Sequence, residues 1–186
     1  MTINSSPDRP EHYAPASKAL HWIIAACILV IIPVGVMMNR VEPGPTQNML
    51  YDLHRSLGFL VLVLVILRIG VRMTWGAPAP YVGLTRFERV ASSIVHFLLY
   101  ALLLAMPIVG WTMTSAFGAT ITVFGLFTLP HLVGRDEDLF RLLQTAHMAG
   151  AIAMAALVLL HVAGALMHTF VKRDLVLWRM LPRKWS

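Results

Sequence analysis

An all-α integral membrane protein, a four-transmembrane-helix bundle with both termini cytoplasmic, is the fold class this sequence predicts. Three observations predict it. Of 186 residues, 58% are hydrophobic and 13% charged, with mean hydropathy +0.71, whereas a soluble domain carries about 25% charged residues. Four apolar segments reach the length needed to cross a bilayer. The lysines and arginines between those segments are distributed unevenly, which sets direction.

The first span covers about 19–38 and follows Ser17, expected as its N-cap. The second covers about 50–71, the third about 91–117 and the fourth about 139–171, with ends that emerge from the bilayer. Breakers mark the joints: Glu42-Pro43-Gly44-Pro45, then Gly76-Ala77-Pro78-Ala79-Pro80, then Gly118 to Gly134 with Pro130. Pro33 and Pro107 fall inside spans and are expected to kink them. A cleaved signal peptide is the rival reading of the first segment, but no small-residue cleavage site follows it closely. The tail, 172–186, mixes Leu175, Val176, Trp178, Leu181 and Trp185 with basic residues and reads as an interfacial anchor. The whole chain, 1–186, reads as one membrane domain.

Eleven basic residues lie on the N-terminal side of this layout: Arg9, Lys18, Arg68, Arg72, Arg86, Arg89, Lys172, Arg173, Arg179, Arg183 and Lys184. Four lie on the other side: Arg40, Arg55, Arg135 and Arg141. The positive-inside rule therefore puts both termini of this multi-pass chain in the cytoplasm. The pI near 10.1 does not indicate nucleic acid, because the basic residues flank apolar runs and form no patch. Cys27 is the lone cysteine. An intramolecular disulfide and a covalent c-type haem are thereby excluded.

Histidines carry the chemistry. His147 and His161 are fourteen residues apart in one apolar stretch, close to four helical turns, so they leave the same face about 21 Å apart. An ionisable side chain at membrane depth is costly and marks function. With helix direction assigned, the outer layer holds His54 and His147, and the inner layer holds His21, His96, His161 and His168. His12 and His131 fall outside the spans, as surface residues. Two imidazoles from different helices at one depth are what a six-coordinate b-type haem needs. Neutral imidazole binds iron, which also removes the cost of burying a charge.

Gly150 and Gly164 follow His147 and His161 by three, Gly58 follows His54 by four, and Gly35 lies fourteen beyond His21. Each omits a side chain near a histidine, where a porphyrin needs clearance; close helix packing by small residues is the competing reading. Arg55 at the outer depth and Arg68 at the inner depth are candidate partners for haem propionates. Snorkelling to headgroups is the alternative for Arg55 and Arg72.

Four stretches together resemble the prokaryotic cytochrome b561 family. They are Lys18-Ala19-Leu20-His21-Trp22, His54-Arg55-Ser56-Leu57-Gly58 running to Arg68, His96 to Pro107 and Gly110, and His147 through His161 and His168 to Arg179-Met180-Leu181-Pro182-Arg183. The resemblance implies a four-helix membrane protein holding two non-covalent b haems, each ligated by two histidines, that exchanges electrons with quinone. It implies His21 with His161 for the inner iron and His54 with His147 for the outer iron. His96 is left to a hydrogen bond in the core or to a propionate. His168, beyond the inner haem, is the candidate contact to a quinone oxygen, with Phe170, Lys172 and Arg173 following it.

The expected function is electron transfer across the membrane between an outer-face donor and ubiquinone or another quinone. The two haem sites lie about 20 Å apart by helix rise. Some members of the family oxidise superoxide, and others resemble haem subunits of hydrogenases or dehydrogenases. Superoxide:ubiquinone oxidoreduction is therefore one possible activity, and a haem-bearing anchor for a redox partner protein is another. Arg40, Arg55, Arg135 and Arg141 face Glu42, Asp52, Asp136, Glu137 and Asp138 outside, a net −1 that weakens steering of an anion. A metal or proton transporter is the different-class alternative. Zinc favours clustered ligands, often with carboxylates, and no Asp or Glu lies deep in a span.

Overall fold

A computed structural model describes residues 13–181. His12 and the end of the tail from Pro182, with Arg183, Lys184 and Trp185, lie outside them. Four helices dominate: α1 (Pro15–Met37), α2 (Pro45–Trp75), α3 (Arg86–Phe117) and α4 (Glu137–Leu166). All are long and apolar enough to cross a membrane. The 31 residues of α2 extend about 46 Å at ~1.5 Å per residue, beyond the ~30 Å hydrocarbon layer, so helix ends project past it.

The helices begin earlier than hydropathy alone predicts because local chemistry sets their starts. Pro15 and Pro45 occupy the first turns of α1 and α2, where the missing N–H is harmless and the fixed φ suits a helix. Ser17 is therefore not the N-cap. It lies buried inside the first turn of α1, and Ala14 precedes the helix. Thr85 and Glu88 form a capping box at α3, with Glu88 N–H donating to Thr85 Oγ1 and Thr85 N–H to Glu88 Oε2. Asp136 caps α4 by accepting from Leu139 N–H at 3.0 Å. Pro33 and Pro107 lie inside α1 and α3, which continue through them.

The joint between α3 and α4 holds a hairpin that sequence patterning reads only as breakers. Strands β1 (Ile121–Val123) and β2 (Phe127–Leu129) pair antiparallel, Thr122 opposite Thr128. Phe124 and Gly125 turn the chain at φ 49 and 73. Positive φ suits glycine and is unusual for a bulky residue. Phe124 is held there by its N–H, which donates to the buried Ser56 Oγ of α2 at 2.9 Å. Ile121, Val123 and Leu129 pack on Phe59 and Trp111 and cap this end of the bundle.

Ile24, Ile28, Val61 and Val65 form the central core with Leu103, Leu104 and Val158 beside them. The outward faces stay apolar, as at Leu29, Phe97, Ile152 and Leu159. Such a surface is stable only against lipid. At the end opposite the hairpin, the terminal segment is tied down by specific bonds. Lys18 Nζ donates to Leu181 O, Trp22 Nε1 to Met180 O, and Arg179 Nη2 to Ala79 O, at 2.9, 2.9 and 3.0 Å. Part of the expected interfacial tail is thus a strap across α1 and the α2–α3 joint. Both ends of the described chain lie at this face.

Candidate functional site

Close backbone packing joins α1 to α2, α2 to α3, and α3 to α4. Histidines of α4 nevertheless meet histidines of α1 and α2 through their side chains. Toward the hairpin end, the rings of His54 and His147 have centres 6.1 Å apart and planes at 70°. Toward the strap end, His21 and His161 have centres 6.1 Å apart and planes at 76°. His96 is also there, its ring centre 5.1 Å from that of His161. His21 and His96 thus both neighbour His161, at different spacings.

Hydrogen bonds fix the tautomer of two of these rings. His96 Nδ1 is bonded at 2.6 Å to the carbonyl of Ser92 on its own helix. His54 Nδ1 is bonded at 3.2 Å to the carbonyl of Ile31. Since a carbonyl only accepts, each Nδ1 carries the proton, and Nε2 of His54 is left as a ligand nitrogen. Among the described residues, His21, His147 and His161 make no hydrogen bond to protein, and His147 Nδ1 is fully enclosed without a partner. These rings retain their capacity for a group that is not protein.

A b-type haem fits this arrangement. With metal–nitrogen bonds of about 2 Å on each side, two axial imidazole centres lie about 6 Å apart, which matches both pairs. Glycines give clearance at the hairpin-end pair. A Cβ on Gly35 of α1 would come within 2.9 Å of His54 Cε1, and one on Gly110 of α3 within 3.2 Å of His147 Cε1. The expected helix-internal pattern is only partly what the fold uses. Gly150 makes room for the Met106 sulfur, Gly58 meets only Ile31 at 3.8 Å, and Gly164 has nothing within 4 Å. Gly110 acts across helices on His147 of α4, although the sequence links it only to His96, fourteen residues before it.

The two arginines differ. Arg68 is 8% exposed, with Nε donating to Tyr100 Oη at 2.8 Å and Nη1 to Ser17 O at 2.6 Å. It does not snorkel; it joins α1, α2 and α3 from inside, and its Nη2 has no protein partner among the described residues. Arg55, half-buried, lies over the Tyr51 ring and 4.0 Å from Asp52. His131 is exposed in the α3–α4 joint.

His168 is buried at 7% exposure in a π-helical turn, Met167–Lys172, that continues α4. Its Nδ1 is 2.6 Å from Asp174 Oδ2. The sequence marks Asp174 only as an acidic residue in an otherwise apolar and basic tail. Burial raises the Asp174 carboxyl, but hydrogen bonds from His168 and the Val176 N–H, with the charge of Lys172, outweigh it and hold the group below its usual value. Lys172 in turn pairs with Glu88 of α3. Among the described residues, no three His, Cys, Asp or Glu side chains converge on a metal-ion site.

A family model described as prokaryotic cytochrome b561 matches residues 12–183. The chain is 28% identical to cytochrome b561 homolog 2 of Escherichia coli, covering 98% of this chain and 97% of that one. It is also 28% identical to the probable superoxide oxidase CybB of Yersinia pestis, over 92% and 97%. With cytochrome b562 of Cereibacter sphaeroides the identity is 33%, over 92% and 96%. Four membrane-crossing helices, paired histidines and full-length similarity agree, and the chain belongs to the prokaryotic cytochrome b561 family of multi-pass inner-membrane proteins that bind b-type haem and transfer electrons.

Proposed function

We propose that residues 1–186 form one diheme domain that carries electrons between an outer-face donor and the quinone pool. The observation that supports this most is the pair of histidine pairs, His54 with His147 and His21 with His161, each with ring centres 6.1 Å apart. A b-type haem held between the histidines of each pair would supply one-electron chemistry. The protein's task is then to hold, orient and insulate. Ile31 fixes the His54 tautomer, so Nε2 is the ligand atom. Apolar neighbours such as Val61 and Val65 exclude water between the two levels.

His21 is the partner we assign to His161, because their ring centres have the same 6.1 Å spacing as the His54–His147 pair, whereas His96 stands closer to His161 at 5.1 Å. Arg68, already fixed by Tyr100 and Ser17, offers Nη2 to a propionate of the inner haem. Arg55 is the corresponding candidate at the outer level, in competition with Asp52. The strap end faces the cytoplasm on the eleven-to-four distribution of basic residues. His168 at that end contacts a quinone oxygen and holds the proton exchanged with it. The Yersinia pestis relative's name makes superoxide the donor to test first. The net −1 of the outer loop residues gives that anion little long-range attraction.

The test is a reduced-minus-oxidised visible spectrum of the detergent-purified protein, with haem stoichiometry. Two haems are expected. His54→Ala or His147→Ala removes one, and His21→Ala or His161→Ala removes the other, while His96→Ala keeps both. One haem per wild-type chain, or loss of ligation in His96→Ala but not His21→Ala, overturns the assignment. Co-purification with a soluble catalytic subunit would assign the anchor role instead. His168→Ala is expected to keep both haems and slow the reaction with a short-chain ubiquinone; an unchanged rate removes His168 from the quinone site.

A further inference from the structure

Beyond α4 the chain reverses tightly. The π-helical turn ends at Arg173, which has φ 54. The N–H groups of Arg173 and Asp174 both reach the carbonyl of His168, that of Asp174 at 3.1 Å. This reversal brings residue 174 back onto residue 168. The Asp174 carboxylate accepts from His168 Nδ1 through Oδ2 at 2.6 Å and from Val176 N–H through Oδ1 at 3.0 Å. Both side chains are largely enclosed, 9% and 13% exposed. His168 Nε2 has no hydrogen-bond partner among the described residues.

An ionised carboxylate only accepts, so the proton of the His168–Asp174 bond resides on Nδ1. Nε2 is then the one ring position free to exchange a proton. Neutral, it accepts from a quinol hydroxyl; protonated, it donates to a quinone carbonyl. The other charges at this corner are Lys172 and Arg173 on the same turn and Glu88 of α3, which is tied to Lys172.

We propose that Asp174 is the positioning residue of the quinone site: by holding the Nδ1 proton of His168 it reserves Nε2 for the quinone oxygen. The inference rests on the reading of His168 as the quinone contact. A turn-capping role alone is the rival. Asparagine separates the two, because its single carbonyl oxygen can cap Val176 while its amide nitrogen then faces His168 Nδ1. As a donor, that amide forces the opposite tautomer.

The experiment uses the full-length haem-loaded protein, with ubiquinol-1 as the probe and haem reduction as the signal. Asp174→Asn is expected to retain both haems and lower the limiting rate at least about tenfold, with little change in KM. Asp174→Glu should recover part of that rate. His168→Ala combined with Asp174→Asn should be no slower than His168→Ala alone, since the two act through one bond. In the dithionite-reduced, diamagnetic wild-type protein, ¹⁵N-histidine NMR should find His168 protonated at Nδ1. This reading does not depend on any aspartate variant folding.

A bare Nδ1 in the wild type overturns the proposal. So does a wild-type rate in Asp174→Asn alongside a slow His168→Ala, which would leave the quinone reading standing and Asp174 as a turn cap. An unaffected His168→Ala removes the quinone reading itself, while the tautomer still reports whether Asp174 holds the ring.

Discussion

Trp22 and Met180 are 158 residues apart in sequence, and the indole Nε1–H of one donates to the carbonyl of the other at 2.9 Å. Lys18 makes the parallel bond to Leu181 four residues, about one turn, earlier on α1. The terminal segment is therefore fixed on the same helix that carries His21, and the two outermost motifs of the chain are one structural unit. Trp22→Phe keeps the ring and loses the donor, a cost of about 1 kcal/mol. Trp22→Phe with Lys18→Met should free the tail. Faster protease cleavage after residue 173, with haem content unchanged, is the expected result; cleavage at the wild-type rate would mean the strap is held by other contacts.

Glycine substitutions separate clearance at a histidine from simple helix packing. Alanine at Gly35 puts a Cβ 2.9 Å from His54 Cε1, and at Gly110 3.2 Å from His147 Cε1. Either crowds a ring proposed as a haem ligand, and a misplaced ligand loses a metal whose bond lengths vary by only about 0.2 Å. Gly35→Ala and Gly110→Ala should each reduce haem from two to one per chain. Gly70→Ala, with nothing within 4 Å, should keep two. Stoichiometry by pyridine haemochrome decides it, and two haems in Gly35→Ala would show that the His54 ring yields without cost.

Arg68 holds three helices through two side-chain bonds, so its loss should exceed that of either partner. Hydrogen bonds to a charged group contribute about 1.5–3 kcal/mol each, and Tyr100→Phe removes one of them. Arg68→Met leaves both the Ser17 carbonyl and the Tyr100 hydroxyl without the guanidinium. The double variant should be less destabilised than the sum of the single ones, by about 0.5–3 kcal/mol of coupling. Arg68→Lys cannot restore the two-point geometry. Detergent-induced unfolding followed by haem absorbance measures all three; strict additivity would place Tyr100 outside the interaction.

The four spans are legible in the sequence because each apolar run is long, bounded by Pro, Gly or a cap, and read by a fixed rise per residue. His147 and His161 are legible for the same reason, since a fourteen-residue separation returns to one face. What depends on contacts between distant segments is not legible. Ser56 supports the Phe124 turn from 68 residues away, so a three-residue strand looks like loop. The neighbours of Arg68 come from α1 and α3, and its sequence position alone suggests a headgroup or propionate partner. Spacing placed both His21 and His96 at the inner level. The fold keeps both near His161, and the ring spacings, 6.1 Å for His21 and 5.1 Å for His96, distinguish them. Asp174 meets His168 because Arg173 adopts a left-handed conformation, for which nothing in the local composition gives warning.

That same contact gives the tail an acid sensitivity whose sign can be worked out. Burial pushes the Asp174 carboxyl up from its ordinary value of 3.8, but the His168 and Val176 hydrogen bonds and the Lys172 charge bring it lower overall. The folded protein therefore binds this proton less readily than the unfolded chain does. Linkage makes the contribution to stability fully present above the ordinary carboxylate value and progressively lost as pH falls through the depressed folded value. Neutral and mildly acid buffers should leave the strap in place, and its hold should weaken only as pH falls below the ordinary carboxylate value. Fluorescence of Trp178, which lies four residues beyond Asp174, should report the release. In Asp174→Asn the group cannot titrate, so the tail should be looser at neutral pH and show no further transition of this origin in acid. An identical acid transition in the variant would assign it to another carboxylate, with Glu88 and its bond to Lys172 the next to test.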